Sequence, residues 1–143
     1  MITFEQINTT NPLQSPKLIE IWLTELVESR NLKIGELTYY FCDDEKILEA
    51  NRKYLSHDYF TDVITFDATV GEIIAADILI SLDTVESNAK KFNVSFQEEL
   101  FRVMAHAVLH LIGYNDKDDE EQKMMREAEN EALALLKKIE NDA

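Results

Sequence analysis

One segment of the chain, residues 95–116, combines a helix start, an apolar helix face and a helix stop with two histidines. Ser95 and Glu98 stand at capping-box spacing, which predicts that a helix begins here. Gly113 is well placed to end that helix. An apolar face with helical periodicity predicts packing against the core. This face carries Leu100, Val103, Met104, Ala107, Val108 and Leu111.

The two histidines of this helix, His106 and His110, are four positions apart. Side chains at this spacing lie one above the other, so both imidazoles can be aimed at one point. Gly113 can adopt the left-handed conformation that reverses the chain and returns Asp116 to the same point. The pattern H-x-x-x-H-x-x-G-x-x-D therefore predicts a metal site with His106, His110 and Asp116 as ligands.

The ligand types narrow the choice of metal. Two imidazoles and one carboxylate suit Zn²⁺, with Ni²⁺, Co²⁺, Mn²⁺ and Fe²⁺ as alternatives, and they disfavour a purely oxygen-liganded Mg²⁺ site. Three protein ligands leave one position open for water, as in catalytic zinc sites. We therefore expect one zinc ion per chain. Glu99, on the same helix face as His106, is either a partner of a ligand imidazole or a surface acid beside Arg102.

The rest of the chain reads as one domain, residues 1–143, in which strands and helices alternate. Strands are expected at residues 2–7, 37–42, 62–66 and 76–80. A first helix is expected from Pro16, capped by Ser15, to about Arg30. A second follows a cap at Asp43 or Asp44, and a third follows Asp83 and Glu86 at capping-box spacing. The last helix uses Met125, Ala128, Ala132, Leu135 and Ile139.

Composition limits the cellular setting. Cys42 is the only cysteine, so no internal disulfide can form, and a reducing cytoplasm is the expected compartment. Cys42 is interpreted as a small core residue rather than a nucleophile. Neither an export signal nor a membrane-spanning segment is expected.

The charge balance argues against nucleic acid as a partner. The chain has 14 basic and 28 acidic residues, a net charge of −14 that repels phosphate over most of the surface. The acids at 118–121, followed by Glu127, Glu129 and Glu131, are interpreted as the solvated start of the last helix.

Three sequence motifs, in order, are similar to those of one family. Residues 106–116 read HAVLHLIGYND, which resembles the signature H-G-x-L-H-L-x-G-Y-D-H of the YbeY family of endoribonucleases. Residues 51–66 read NRKYLSHDYFTDVITF and resemble that family's N-x-x-Y-R-x-x-D-x-x-T-D-V-L-S-F segment. Residues 76–81 read ADILIS and resemble its G-D-I-x-I-S.

The resemblance implies a fold and an activity. The implied fold is an α+β domain, with a small mixed sheet of about four strands packed against about five helices and the metal site at the end of the signature helix. The implied activity is metal-dependent hydrolysis of single-stranded RNA, in 3′-end maturation of the small-subunit ribosomal RNA and in ribosome quality control. Ribosomal RNA and the small ribosomal subunit are thus the implied partners.

Three positions depart from the family pattern. Asp116 replaces the third histidine, which keeps a ligand but adds a negative charge, so a coordinated water is expected to be less acidic and the metal preference can differ. Ala107 replaces a glycine, a mild change within a helix. Leu55 replaces an arginine that could clamp phosphate or stabilise transition-state charge.

Two arginines are candidates for the missing charge. Arg52 precedes Leu55 by one helical turn, and Arg102 shares a helix face with His106. Both are predicted as phosphate-facing catalytic residues; the alternative is that they pair with acids such as Glu49, Glu98 or Glu99. His57 is a candidate substrate contact or fourth ligand.

Two other functions remain open from the sequence. The histidine, glycine and acid spacing is also that of metzincin-like metallopeptidases, although Ala107 occupies the position of their general base. A non-catalytic ribosome-assembly factor with a structural metal is the other alternative, and Leu55 favours it.

Overall fold

The computed structural model describes residues 1–54 and 61–142. The strands are β1 (Ile2–Gln6), β2 (Lys33–Cys42), β3 (Val63–Asp67) and β4 (Ile73–Ser81). The helices are α1 (Pro16–Glu28), α2 (Asp44–Tyr54), α3 (Leu82–Phe92), α4 (Phe96–Ile112) and α5 (Asp119–Asp142). Within the described ranges, no helix is long and apolar enough to cross a membrane.

The four strands form one mixed sheet in the order β1-β2-β4-β3. β1 and β4 both pair in parallel with β2, and β3 runs antiparallel to β4 at the sheet edge. The parallel pairs are joined through helices, as parallel connections require, whereas β3 and β4 form a hairpin. The expected α+β architecture, with a small mixed sheet and five helices, is confirmed.

Strand β2 shows how the sheet divides the core. Side chains alternate between the faces of a strand, so Tyr39 and Phe41 enter the main core while Tyr40 and Cys42 face the other side. The main core lies between the sheet and helices α1, α4 and α5, and the smaller cluster lies under α2. The Tyr39 hydroxyl donates to the Met104 carbonyl at 2.9 Å, which fixes α4 against the sheet.

Helix α4 is buried on more than its predicted face. The predicted core residues are all buried, and so are Ala105 and Leu109. Leu109 packs in a separate cluster with Met125 and Ala128 of α5. Helix α4 therefore lies between the sheet and α5, which holds its position from both sides.

Most predicted boundaries are confirmed, and the differences have local causes. β2 begins at Lys33 and β4 at Ile73, earlier than expected. The first residues of the two strands pair with each other, Lys33 with Ile73 and Ile34 with Ile74, and this pairing lengthens both strands. The predicted cap of α3 at Asp83 is wrong. The side chain of Ser81 caps that helix by accepting from the Thr84 amide, and Asp83 instead accepts from the Asp44 amide at 3.0 Å.

The caps of α2 and the packing of α5 follow the predicted pattern. The Asp43 carboxylate accepts from the Lys46 amide at 2.8 Å, so Asp43 is the cap of α2. In α5, Met125, Ala128 and Ala132 are buried, with Leu135 and Ile139 partly buried. The indole of Trp22 donates to the Ala132 carbonyl at 2.8 Å, joining α1 to α5.

The contribution of the Ser95 cap to stability can be measured by comparison with Ser15, which precedes α1. The Ser95 hydroxyl accepts from the Glu98 amide at 3.0 Å, whereas Ser15, at the same position of α1, makes no side-chain cap hydrogen bond. We expect Ser95→Ala to lower the free energy of unfolding by about 1 kcal/mol and Ser15→Ala to leave it almost unchanged. Urea unfolding of both variants measures this; equal losses would contradict it.

The single thiol gives a second prediction. Cys42 is fully buried, as expected for a core residue, and burial together with the neighbouring Asp43 charge raises its pKa to about 12. Because the thiolate is the reactive form, a thiol reagent at pH 8 should react with the folded protein at least about 100-fold more slowly than with the urea-unfolded chain. Rapid reaction of the folded protein would contradict a core role.

Candidate metal centre

The structure brings the three predicted ligands together. One ligand atom from each of His106, His110 and Asp116 lies within 4.8 Å of the other two. The Asp116 Oδ2 atom is 3.6 Å from His106 Nε2 and 3.3 Å from His110 Nε2. Their side chains are between 24% and 42% exposed, so the cluster is partly buried and remains accessible to solvent.

The turn after α4 returns Asp116 to the histidines. Gly113 has φ of 126°, outside the range that side chains normally allow, and its amide donates to the Leu109 and His110 carbonyls. The Tyr114 amide donates back to Leu109 at 3.0 Å, which satisfies the end of the helix. The Gln122 side chain then donates to the Asp116 carbonyl at 3.1 Å. The predicted chain reversal at Gly113 is confirmed.

The orientation of His110 is fixed by this turn. Its Nδ1 lies 2.9 Å from the Tyr114 carbonyl, which can only accept, so Nδ1 carries the hydrogen and Nε2 presents a lone pair. Tyr114 is in turn held by Arg30, whose guanidinium lies 5.2 Å from the centre of the ring and donates to the hydroxyl. The loop at the end of α4 is thereby tied to the residues that follow α1.

The orientation of His106 is fixed by α5. Its Nδ1 lies 2.7 Å from Glu129 Oε2, so Nδ1 donates to the carboxylate and Nε2 presents its lone pair. Burial disfavours the charged imidazole, but the hydrogen bond to Glu129 and the charges of Glu129, Asp116 and Asp62 outweigh it and raise the pKa of His106. Burial also opposes ionisation of Glu129, yet His106 and Arg102 hold its pKa below the ordinary value.

Glu129 is the site residue that the sequence interpretation missed. The interpretation of Glu129 as one of the solvated acids of the last helix is wrong, because only 5% of Glu129 is exposed. Its position contained the signal. Glu129 follows Met125 by four residues and precedes Ala132 by three, so it belongs to the same buried face of α5.

Two further acids lie near the site. Glu99 is buried, so its interpretation as a surface acid is wrong, and the partner of His106 is Glu129 rather than Glu99. Burial and the nearby charge of Asp62 raise the pKa of Glu99. Burial likewise raises the pKa of Asp62, the residue just before β3, although the charge of His106 opposes the shift. Asp62 is therefore electrostatically coupled to the ligand cluster.

The two predicted phosphate-facing arginines have different environments. Arg102 Nη1 donates to Glu129 Oε1 at 3.1 Å, and the Arg102 side chain is only 15% exposed. Arg52 is exposed in the last turn of α2. Their role towards phosphate stays a prediction. Leu55 and His57 lie outside the described residues.

The donor atoms fit a small transition-metal ion. With Nδ1 of each histidine engaged as a donor, two Nε2 lone pairs and a carboxylate oxygen come close together, and a cation bound between them would relieve their repulsion. In a tetrahedral zinc site with bonds of about 2.0–2.2 Å, donor atoms stand roughly 3.3–3.6 Å apart. The distances from Asp116 to His110 and His106, 3.3 and 3.6 Å, fall in that range.

Comparison with known proteins identifies the family. A model of the family described as endoribonuclease YbeY matches residues 2–137. The chain belongs to the YbeY family. The endoribonuclease YbeY of Parabacteroides distasonis is 50% identical over 125 residues, which are 87% of this chain and 88% of that protein. The protein of the same name from Phocaeicola vulgatus is 46% identical, with 95% and 99% covered.

A solved structure supports the same assignment. The solution structure of a Thermotoga maritima protein matches with a TM-score of 0.64 and 28% identity, covering 95% of this chain and 89% of that one. The family resemblance seen in the motifs of residues 51–116 is therefore confirmed, and the match extends over residues 2–137.

The raised pKa of His106 predicts how the stability of the metal-free protein depends on pH. Because its folded pKa lies above the unfolded value, the stabilisation from protonated His106 is fully present below the unfolded pKa and is lost as the pH rises through the folded pKa. Protons should thus compete with metal ions up to a higher pH than at a histidine with the ordinary pKa. In an NMR titration, His106 should show a midpoint above 6.5, and Glu129→Gln should lower it. A midpoint below 6.5 in the unaltered protein would contradict this.

Proposed function

We propose that this YbeY-family protein is a metal-dependent endoribonuclease that cleaves single-stranded RNA, with one zinc ion held by His106, His110 and Asp116. The observation that carries the proposal is the convergence of three acceptor atoms from these residues within 4.8 Å. The name endoribonuclease, carried by the matching family model and by its relatives, supports RNA as the substrate. Ni²⁺ or another divalent transition metal suits the same donors.

The chain's own residues supply binding and orientation. When bound, the metal supplies Lewis-acid chemistry, which activates water and polarises a phosphate oxygen. His106 and His110 each donate from Nδ1 to a fixed acceptor, so their Nε2 atoms need no reorientation to bind it. Asp116, 42% exposed, lies on the open side of the cluster, where a phosphodiester can approach.

Charge is the distinctive property of this site. Asp116 contributes a full negative charge where the family signature has a neutral imidazole, and Asp62, Glu99 and Glu129 lie close enough for electrostatic interaction with one another or with His106. An anionic substrate therefore needs positive charge from other residues. Arg52 and Arg102 are the proposed sources. Because Arg102 donates to Glu129, it can face phosphate only from the part of its guanidinium that this bond leaves available.

Membership of the YbeY family is the basis for proposing a specific biological substrate. We assign the activity to 3′-end maturation of the small-subunit ribosomal RNA and to ribosome quality control in the cytoplasm, with the small ribosomal subunit as partner. The metallopeptidase alternative lacks support, because the position after His106 is Ala107, which is fully buried and cannot transfer protons. Leu55, at the position of the family arginine, is the residue that favours a non-catalytic assembly factor, and that function is an outcome of the test below.

The test combines elemental analysis with RNA cleavage. We expect about one zinc ion per chain in the purified protein, loss of that zinc in Asp116→Ala, and loss of RNA cleavage to the background rate in the same variant. Asp119→Ala is the matched control, since it removes an exposed carboxylate three positions later in the first turn of α5. It should retain both metal and activity.

The outcomes separate the three functions. Metal retained by Asp116→Ala would remove the basis for the three-ligand site. Cleavage of a labelled peptide instead of RNA would establish a peptidase. Bound zinc without cleavage of any RNA, together with a lower melting temperature after chelation, would establish a structural metal.

A further inference from the structure

We infer that Glu129 is a positioning residue for the metal centre, and that Arg102 acts on the same centre by holding Glu129. The inference rests on the metal site of the proposed function and adds two residues outside the ligand set. It assigns to α5 a part in metal binding, although α5 follows all three ligands in the sequence.

The two oxygens of Glu129 have separate partners. Oε2 accepts from His106 Nδ1 at 2.7 Å, and Oε1 accepts from Arg102 at 3.1 Å, with Arg126 at 3.6 Å. A carboxylate held at both oxygens cannot rotate without breaking one of these bonds. Its orientation therefore fixes the plane of the His106 ring and the direction of Nε2.

Burial makes this arrangement costly to break. Glu129 and Arg102 have side chains that are 7% and 15% exposed, whereas Arg126 is 59% exposed. A buried carboxylate is tolerated when it is paired and hydrogen-bonded, so Arg102 is the cation that stabilises Glu129 in its charged form. Arg126, largely in solvent and farther away, contributes less.

Packing of α5 does not account for the position of the carboxylate. α5 is already held by the buried Met125, Ala128 and Ala132 and by the hydrogen bond from Trp22 to the Ala132 carbonyl. Glu129 lies within that apolar face and directs an oxygen at a ligand imidazole. An apolar residue would fill the same position without the desolvation cost of a buried charge. The charge is therefore explained by what it does for His106.

The two predicted metal-site histidines are thus held unequally. His110 is oriented by a neutral backbone carbonyl of its own turn, and His106 by a buried carboxylate from another helix. A carboxylate partner raises the basicity of a ligand imidazole, so His106 should be the stronger donor of the pair. Disturbing Glu129 should accordingly weaken metal binding without removing any ligand.

The experiment measures metal affinity with RNA absent. Zn²⁺ affinity is determined by competition with a chromophoric chelator for the unaltered protein, Glu129→Gln and the control Glu131→Gln, which removes an exposed carboxylate from the same helix. We expect a 10- to 100-fold loss of affinity in Glu129→Gln and little change in the control. The visible absorption of bound Co²⁺ should also change in Glu129→Gln, which a residue that only packs the helix would not cause.

A double-mutant cycle tests Arg102. Arg102→Met should weaken Zn²⁺ binding by itself and have little further effect in the Glu129→Gln background, because its action passes through Glu129. Arg126→Met is the matched control and should change the affinity less than Arg102→Met. If Glu129→Gln fails to fold, Glu129→Asp replaces it; that variant keeps the charge, withdraws it by one methylene, and should also lose affinity.

Failure of this inference and of the proposed function can be told apart. If the unaltered protein binds no metal, the proposed metal site itself fails. If it binds metal and Glu129→Gln or Glu129→Asp binds equally well with an unchanged Co²⁺ spectrum, the positioning role is overturned while the ligand set stands. Equal, additive losses of Zn²⁺ affinity from Arg102→Met in both backgrounds, or no loss from Arg102→Met alone, would overturn the proposal that Arg102 acts through Glu129.

Discussion

Burial of α4 between the sheet and α5 is the constraint on which the site depends. The helix presents apolar side chains to both layers, and the hydroxyl of Tyr39 and the cluster around Leu109 fix its depth and rotation. The two histidines occupy its last two turns, so their backbone positions are set by packing in the core. A rigid helix lowers the entropic cost of gathering ligands, because only the following turn remains to be ordered.

The electrostatics of the centre differ from those of a site built from neutral imidazoles. Asp116 is a candidate ligand with its own charge, and Glu129 adds a buried negative charge that is hydrogen-bonded to the candidate ligand His106. Such surroundings favour a divalent cation and at the same time disfavour a phosphodiester. In the proposed function, Arg52 and Arg102 must therefore compensate fixed carboxylates and also leave positive potential for the substrate.

The sequence predicted the parts of this site that depend on local geometry. Histidines four apart on a helix, a glycine at the helix end and an acid three residues later are all read from spacing, and the structure places them together. The strands and most helix ends were also predictable, since the apolar periodicity was regular. The α3 cap was not, because Ser81 and Asp83 both suit that role and the tertiary contact of Asp83 with α2 decides between them.

The residues missed by the sequence interpretation depend on pairing between helices. Glu129 stands in a run of acids whose composition predicts a solvated surface, and only the packing of α5 on α4 separates it from Glu127 and Glu131. The sequence likewise does not distinguish two roles for Glu99, and its burial excludes the role of a surface acid. A charged side chain is tolerated in the interior when it has a partner there. His106 and Glu129 are 23 residues apart in the sequence, so only the tertiary fold shows that they are partners.

The contribution of α5 has a consequence for the order of events during synthesis. A chain that ends at Asp116 contains the whole ligand motif, yet it lacks the carboxylate that orients His106 and the helix that covers the outer side of α4. Residues from the first third of the sequence contribute as well. Arg30 contacts Tyr114 in the turn after α4, and Trp22 hydrogen-bonds to Ala132 of α5. The candidate metal centre is therefore complete only when α1, α4 and α5 have folded together, so metal binding at this centre would report that all three helices are in place.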